Sequence, residues 1–458
     1  MRGPQPALPL HLPAHGRGRG LAPSLRRLLR LSPGCWDLPE LPGIGGPLEA
    51  EGAVAASQHR AAELCGADAC WFGVNGASGL LQAAVLALAA PGSRLLLPRN
   101  LHRSLLHGCL LAQVEPLLYS LPFDPISGLW LPLDPEHLDR VLQAAHPWGP
   151  VAGIVLVDPT YQGQRTALEP LIVQAHSHGL PVLVDQAHGS GEAVASGADI
   201  TVISLQKMAG GLAQSAALLS RGQRVPPERL KQALLWLQTS SPSALLLASC
   251  AAAIEELHSP AGRRRRARAE ARGLALRQRL EADAMPLLPN DDPLRLTLIT
   301  AVLGIPGPAA DAWLLERGVV AELPEPGSLT FCLGQNPPRG LERLLPARLH
   351  QLRQALASSP LPPFTPPPLP LLAAPEWPLG KAWRAQRHSL PLEQAIGAIA
   401  AEPVCPYPPG IPLLIPGERI DAGRVLWLQQ QRHLWPDQIP ARLNVVSQVG
   451  DGLHARAL

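Results

Sequence analysis

Val182-Leu183-Val184-Asp185-Gln186-Ala187-His188-Gly189, followed by Ile200-Thr201-Val202-Ile203-Ser204-Leu205-Gln206-Lys207, decides how this chain is read. Each segment is a short apolar run, the form taken by a strand buried on both faces of a parallel sheet, and each ends on a charged side chain. A carboxylate at the tip of a buried strand needs a cation or hydrogen-bond donors. A lysine leaving the next such strand is costly unless its amine is neutralised or used covalently. Of the 39 lysines and arginines in the chain only Lys207, Lys231 and Lys381 are lysines, so each invites the question of what a primary amine does there that arginine would not.

Outward from these segments, helix-like and strand-like stretches alternate. Gly52 to Leu64 reads as a helix, Cys70 to Val74 as a strand, and Gly76-Ala77-Ser78-Gly79 as the turn opening an Ala/Leu-rich helix that runs to Ala90. Further strands are expected at Arg94 to Leu97, Gly153 to Val157 and Pro181 to Val184, with helices at Ser104 to Leu111 and Leu168 to His178. The pattern predicts an α/β fold with a mostly parallel sheet, whose ligands bind at the carboxyl ends of the strands. Beyond Glu255 come a charged helix, Arg263 to Glu281, and a weaker mixed region to Leu356. The organisation expected is an arm (1–50), a large domain (51–250), a small α+β domain (251–357), a semi-rigid Pro-rich linker (358–378) and a carboxy-terminal domain (379–458).

Composition narrows the function. A net charge of +3 over 458 residues implies neither a nucleic-acid nor a membrane-surface partner. Seven cysteines without a disulfide cadence or a C-x-x-C pair suit a reduced, cytoplasmic compartment, and no metal is expected. The longest apolar stretch, Ala244 to Ile254, is about half of what spans a bilayer.

Four elements in order point to a pyridoxal phosphate site. Gly76 to Gly79 offers small residues, backbone amides at Ala77 and Gly79, the Ser78 hydroxyl and a helix amino end, all favourable to an anion. His102, at a strand-to-helix corner, supplies an imidazole that can stack on a ring. Asp185 suits a protonated pyridine nitrogen, which strengthens that ring as an electron sink. Lys207 suits an aldehyde, with which it forms an imine, while Ser204 and Gln206 can reach the phosphate from the other side. Singly, each has an ordinary structural reading: a turn, a satisfied histidine, a helix cap. The ordered set is what is specific.

At these residues the sequence resembles the Orn/Lys/Arg decarboxylases, built on the fold-type-I scaffold of aspartate aminotransferase. The matches include His11-Leu12-Pro13-Ala14-His15, Val74-Asn75-Gly76, Pro98 to Ser104, Pro159-Thr160-Tyr161-Gln162-Gly163, Asp185 to Gly189, Lys207, Thr239 to Ser243, and Tyr407-Pro408-Pro409-Gly410-Ile411-Pro412 with Pro416-Gly417-Glu418. The resemblance implies the short form, without the amino-terminal wing domain, and a carboxy-terminal decarboxylase domain. It implies that Lys207 holds the cofactor, Asp185 pairs with the ring nitrogen, His102 stacks, and Ala77, Ser78, Gly79 and Ser204 hold phosphate. His188 should lie close to the cofactor. Glu418 is the expected contact for the distal amine or guanidinium of a substrate, and Thr239 with Ser241 should approach the site of a neighbouring subunit in a homodimer or larger homo-oligomer. The family's usual residues are replaced at Gly16 (lysine), Gln186 (glutamate), Gln206 (histidine) and Ala244 (tyrosine).

The activity implied is decarboxylation of arginine, lysine or ornithine through a Lys207 imine to agmatine or a diamine, a step of polyamine metabolism. The same cofactor residues would serve an aminotransferase or another lyase, or a relative with little turnover, and these alternatives stay open on sequence grounds.

Overall fold

The computed structural model describes residues 7–405, 411–436 and 438–447. Most of the Tyr-Pro-Pro-Gly-Ile-Pro motif, 407–410 of 407–412, lies outside them. The large domain is organised on a sheet whose strands, in chain order, are β1 (Ala69–Gly73), β2 (Arg94–Pro98), β3 (Glu115–Tyr119), β4 (Val151–Val157), β5 (Val182–Gln186), β6 (Ile200–Ser204) and β7 (Ala216–Ser220). An edge strand, β8 (Leu372–Ala373), completes it, and the spatial order is β8-β3-β2-β4-β5-β6-β7-β1. Strands β3, β2, β4, β5 and β6 run parallel, whereas β7 is antiparallel to both its neighbours and β8 is antiparallel to β3.

Alternation along each strand explains the sheet's burial. Leu95, Leu97 and Leu183 enter one apolar layer, with the helix Gly76–Leu88; Leu96, Val182 and Val184 enter the layer on the other face, with the helices Pro135–Ala145 and Leu168–Ser177. Both faces are dry, so the strands are mostly apolar, with Thr201 of β6 a buried exception, and charged residues collect at the ends. The crossover strands expected from sequence are present to within two residues at each bound. Three were not anticipated: β3 carries Glu115-Pro116, β7 is the helix-like Ala-Ala-Leu-Leu, and β8 lies in the stretch read as linker. The Pro-rich segment is therefore also part of the sheet. Lys207 needs a correction as well: β6 stops at Ser204, and the lysine rides on the single helical turn Leu205–Met208 that follows.

The small domain packs the strands Arg295–Leu298, Leu323–Glu325 and Ser328–Cys332 against the helices Pro260–Ala282, Gly307–Glu316 and Leu341–Leu356. Residues of the arm belong to it: Leu8–Pro9 pairs in parallel with Val319–Val320, and Leu8 and Leu10 are fully buried in its core. The carboxy-terminal domain surrounds the helix Ala422–Leu434 and the ribbon of Arg387–Pro391 with Arg442–Val446. Among the described residues no helix is long and apolar enough to cross a membrane.

Candidate active site

The carboxyl ends of β2, β4, β5 and β6 open into a cavity of about 450 Å³. Its wall brings together Ala77, Ser78, His102, Asp185, His188, Ser204, Gln206 and Lys207, eight of the sequence candidates. Gly79 is buried one residue past the lining stretch Gly76–Ser78 in the same helical turn.

Local chemistry positions each group. The helix Gly76–Leu88 begins with Gly76 at φ +66°, a left-handed conformation that glycine adopts without strain, and its first turn has no side-chain cap. The free amides of that turn and the Ser78 hydroxyl are donors awaiting an anion. Ser204, buried at the end of β6, likewise caps nothing. His102 caps the helix Arg103–Ala112 through Nδ1, which accepts the Ser104 N–H at 3.3 Å. The other face of the imidazole is open to the cavity. Burial, helped by the nearby Lys207 and Arg103 cations, lowers its pKa to about 4, so it is a neutral ring at physiological pH.

Asp185 stands beside Val202 in the parallel register of β5 and β6, and one carboxylate oxygen accepts the Ala187 N–H at 3.1 Å. Burial pushes its pKa up, against the pull of Lys207. A chain of three side chains runs from there into the small domain. Lys207 Nζ lies 3.0 Å from His188 Nε2, and Arg295 Nη2 lies 3.0 Å from His188 Nδ1. Arginine only donates, so Nδ1 accepts; a neutral imidazole then carries its proton on Nε2, facing Lys207, an arrangement that disfavours the ammonium form of the lysine. Burial first, then the Lys207 and Arg295 charges, drive the His188 pKa well down, and burial lowers that of Lys207. Tyr161 closes the side, its ring 4.3 Å from that of His188, its hydroxyl donating to Glu322.

Arg295 was missed in the sequence. Its signal is a lone charge inside the run Pro293-Leu294-Arg295-Leu296-Thr297-Leu298; it opens the strand Arg295–Leu298, is only 2% exposed, and its Nη1 donates to the Tyr161 carbonyl at 2.7 Å. Asn100, Trp130, Tyr161 and Glu325 also line the cavity without having been singled out for it.

Glu418 is not brought to this cavity. Its carboxylate is buried and engaged: Oε1 is 2.6 Å from Arg99 Nη2, and Oε2 accepts from Arg99 Nη1 at 3.2 Å and the Ile415 N–H at 2.8 Å. Arg99, fully buried after β2, also donates to the Pro412 carbonyl. The pair is a clamp between the large and carboxy-terminal domains, so the expectation of a substrate contact at Glu418 is corrected: every oxygen already has a protein partner. Of the departures from the family pattern, Gln206 lines the cavity, whereas Gln186 does not and instead accepts the Ala193 N–H. Ala244 opens the helix Ala244–His258 and Gly16 takes φ +50° in the arm. Thr239 and Ser241 are exposed.

The donor set fits pyridoxal phosphate. Uncapped amides and two hydroxyls wait at one end, a buried carboxylate with an oxygen to spare at the other, an amine between, and the Asn100 Oδ1 and Trp130 Nε1 atoms are buried on the wall without partners among the described residues.

Sheet order, strand-end site and small domain together define an enzyme of the pyridoxal-phosphate-dependent fold type I. The chain belongs to the Orn/Lys/Arg decarboxylase family: residues 36–290 match its "Orn/Lys/Arg decarboxylase, major domain" and 370–435 its "Orn/Lys/Arg decarboxylase, C-terminal domain". Arginine decarboxylase of Bacillus subtilis is 30% identical over 446 residues, covering 91% of this chain and 89% of that protein. The constitutive lysine decarboxylase of Escherichia coli is 25% identical, over 82% of this chain and 67% of its own. In solved structures the latter matches with a TM-score of 0.74 at 19% identity over 88% of this chain and 74% of its own. Lysine decarboxylase A from Pseudomonas aeruginosa matches with a TM-score of 0.76 at 19% identity, over 94% and 78%. Members of the family are lyases, and decarboxylation of a basic amino acid is the activity the relatives' names share.

Proposed function

We propose that this chain decarboxylates arginine, lysine or ornithine with pyridoxal phosphate held at Lys207, yielding agmatine or a diamine. The observation that carries the reading is the Arg295–His188–Lys207 chain, which disfavours the ammonium form of a primary amine that shares its cavity with an anion-binding turn. When bound, pyridoxal phosphate supplies an aldehyde for an amine and a ring that accepts the electron pair of a broken bond. The protein's own groups do the rest. Ala77 and Gly79 amides with Ser78 and Ser204 hydroxyls fix the phosphate, and Gln206 borders them. Asp185 would hold a proton on the ring nitrogen, His102 would border the ring as a neutral imidazole, and the buried wall excludes water and strengthens each interaction. Lys207 Nζ, once it has taken the proton shed by the substrate's ammonium group, would be the acid placed to return a proton to the α-carbon after carbon dioxide has left, with His188 Nε2 3.0 Å away to orient it.

Incubating the protein and cofactor with each basic amino acid in the absence of a keto acid is expected to release carbon dioxide and the matching amine. Release from none of the three would overturn the proposal. In Arg295→Gln, a cation that disfavours the ammonium form is gone, so the titration of Lys207 should move to higher pH. The measurement is the pH dependence of the visible band formed with pyridoxal phosphate; a move to lower pH contradicts the chain of hydrogen bonds.

A homodimer goes with this reading. Leu235 and Trp236, 67% and 78% exposed, adjoin Thr239 and Ser241 and offer an apolar face to a second copy. Light scattering on the purified protein should report twice the chain mass or more.

A further inference from the structure

A second carboxylate lines the cavity besides Asp185. Glu325 ends the strand Leu323–Glu325 of the small domain, paired with Ser328 across a tight hairpin, and is only 7% exposed. Its Oε2 accepts from the Gln162 amide at 2.7 Å and from the Ser328 hydroxyl at 3.3 Å. Both donors are neutral. Among the described residues no lysine, arginine or histidine pairs with it, and Oε1 accepts nothing.

That is an unusual state for a buried acid. An ionised carboxylate removed from water is stable only with a cation, and two neutral hydrogen bonds on one oxygen do not supply one. Burial accordingly pushes its pKa up to about 7. The other carboxylates near the site are committed elsewhere: Glu418 to Arg99, and Glu322 to Tyr161 and the Leu12 N–H. The cavity wall also carries the apolar side chains of Leu129, Trp130, Leu323 and Ile411, a lining suited to methylene groups. A molecule with an amine for the Lys207 end, a methylene chain and a second cation would complete the cavity electrostatically.

We infer that Glu325 is the residue that receives the distal ammonium or guanidinium of the substrate, the part that Glu418 cannot play. This rests on the reading of the site as that of a basic amino acid decarboxylase. Gln162 and Ser328 act as positioning residues, holding Oε2 so that Oε1 is presented to the cation.

The test uses the full chain loaded with pyridoxal phosphate, with Glu325→Gln and Glu325→Asp. In the Gln variant the KM for the preferred amino acid should rise about 10–100-fold, the worth of a charge-assisted hydrogen bond, with kcat within a few-fold. Calorimetric affinity for agmatine, cadaverine and putrescine should fall by a similar factor, while a monoamine such as pentylamine binds both proteins alike. The Asp variant shortens the side chain by one methylene and should shift preference toward the longer substrate, lysine over ornithine, which a merely structural role would not do. Should the Gln variant fail to fold, that shift alone decides. A Gln variant that decarboxylates with an unchanged KM, or an Asp variant with unchanged preference, overturns the assignment of Glu325 and leaves the decarboxylase reading standing. A wild-type protein that binds none of the amines and releases no carbon dioxide overturns both.

Discussion

Lys207→Ala is expected to abolish turnover and the visible absorption, at about 420 nm, that pyridoxal phosphate gives on joining a protein amine. Loss of proton handling alone costs about 10²–10⁴-fold, and loss of the amine that takes the aldehyde adds to it. The loss is not one of charge. Lys207→Arg keeps a cation in place, yet a guanidinium neither forms that bond nor accepts the His188 Nε2–H, so it should be as inactive as alanine. Lys231 and Lys381 act as internal controls: neither lines the cavity, and replacing either with arginine should leave both absorbance and turnover unchanged. A Lys207→Ala protein that retains the band would show that the cofactor is held by another group.

Glu418→Ala is expected to destabilise the protein by about 3–5 kcal/mol, the cost of leaving a buried charge without its partner, because Arg99 is wholly enclosed. Arg99→Ala should do much the same, leaving the Glu418 carboxylate with the Ile415 N–H and the more distant Arg424 guanidinium, 3.5 Å away. The two losses should be far from additive. Replacing both residues with apolar side chains of similar size removes both buried charges together and should recover much of the stability, since a buried ion pair contributes little net free energy. Chemical denaturation of the four proteins measures this directly. The KM of whatever Glu418 variant folds should be near that of the wild type. A large rise in KM without loss of stability would restore Glu418 to the substrate.

How far the sequence revealed these features depended on where each residue's partners lie. Strands β4, β5 and β6 are buried on both faces, so nothing charged interrupts them until the end, and Asp185 stands out at the tip of its run. Lys207 stands out for another reason, as a lysine in a chain that otherwise writes its cations as arginine. Strand β3 was obscured by Pro116, and β7 by alanines and leucines that serve a helix equally well; their strand character comes from the neighbours they pair with. Arg295 and Glu325 reach the site from the small domain, more than a hundred residues downstream of Tyr161 and Gln162, which they contact. No local pattern encodes such a crossing. Glu418 shows the reverse: its motif resembles that of a decarboxylase, but only the fold reveals that Arg99, 319 positions earlier, already holds it.

The pairing of Leu8–Pro9 with Val319–Val320 has a consequence during synthesis. The arm leaves the ribosome about 310 residues before the strand it must join, which at 5–20 residues per second is roughly 15–60 s. Over that interval Leu8 and Leu10, later sealed in the small-domain core, have no native cover. The Ala14 N–H meanwhile waits for the carbonyl of Gln206, next to the reactive lysine. Completion of the site is thus among the last events in the protein's biogenesis, and the nascent large domain passes through a stage in which its ligand-binding edge is formed but uncovered.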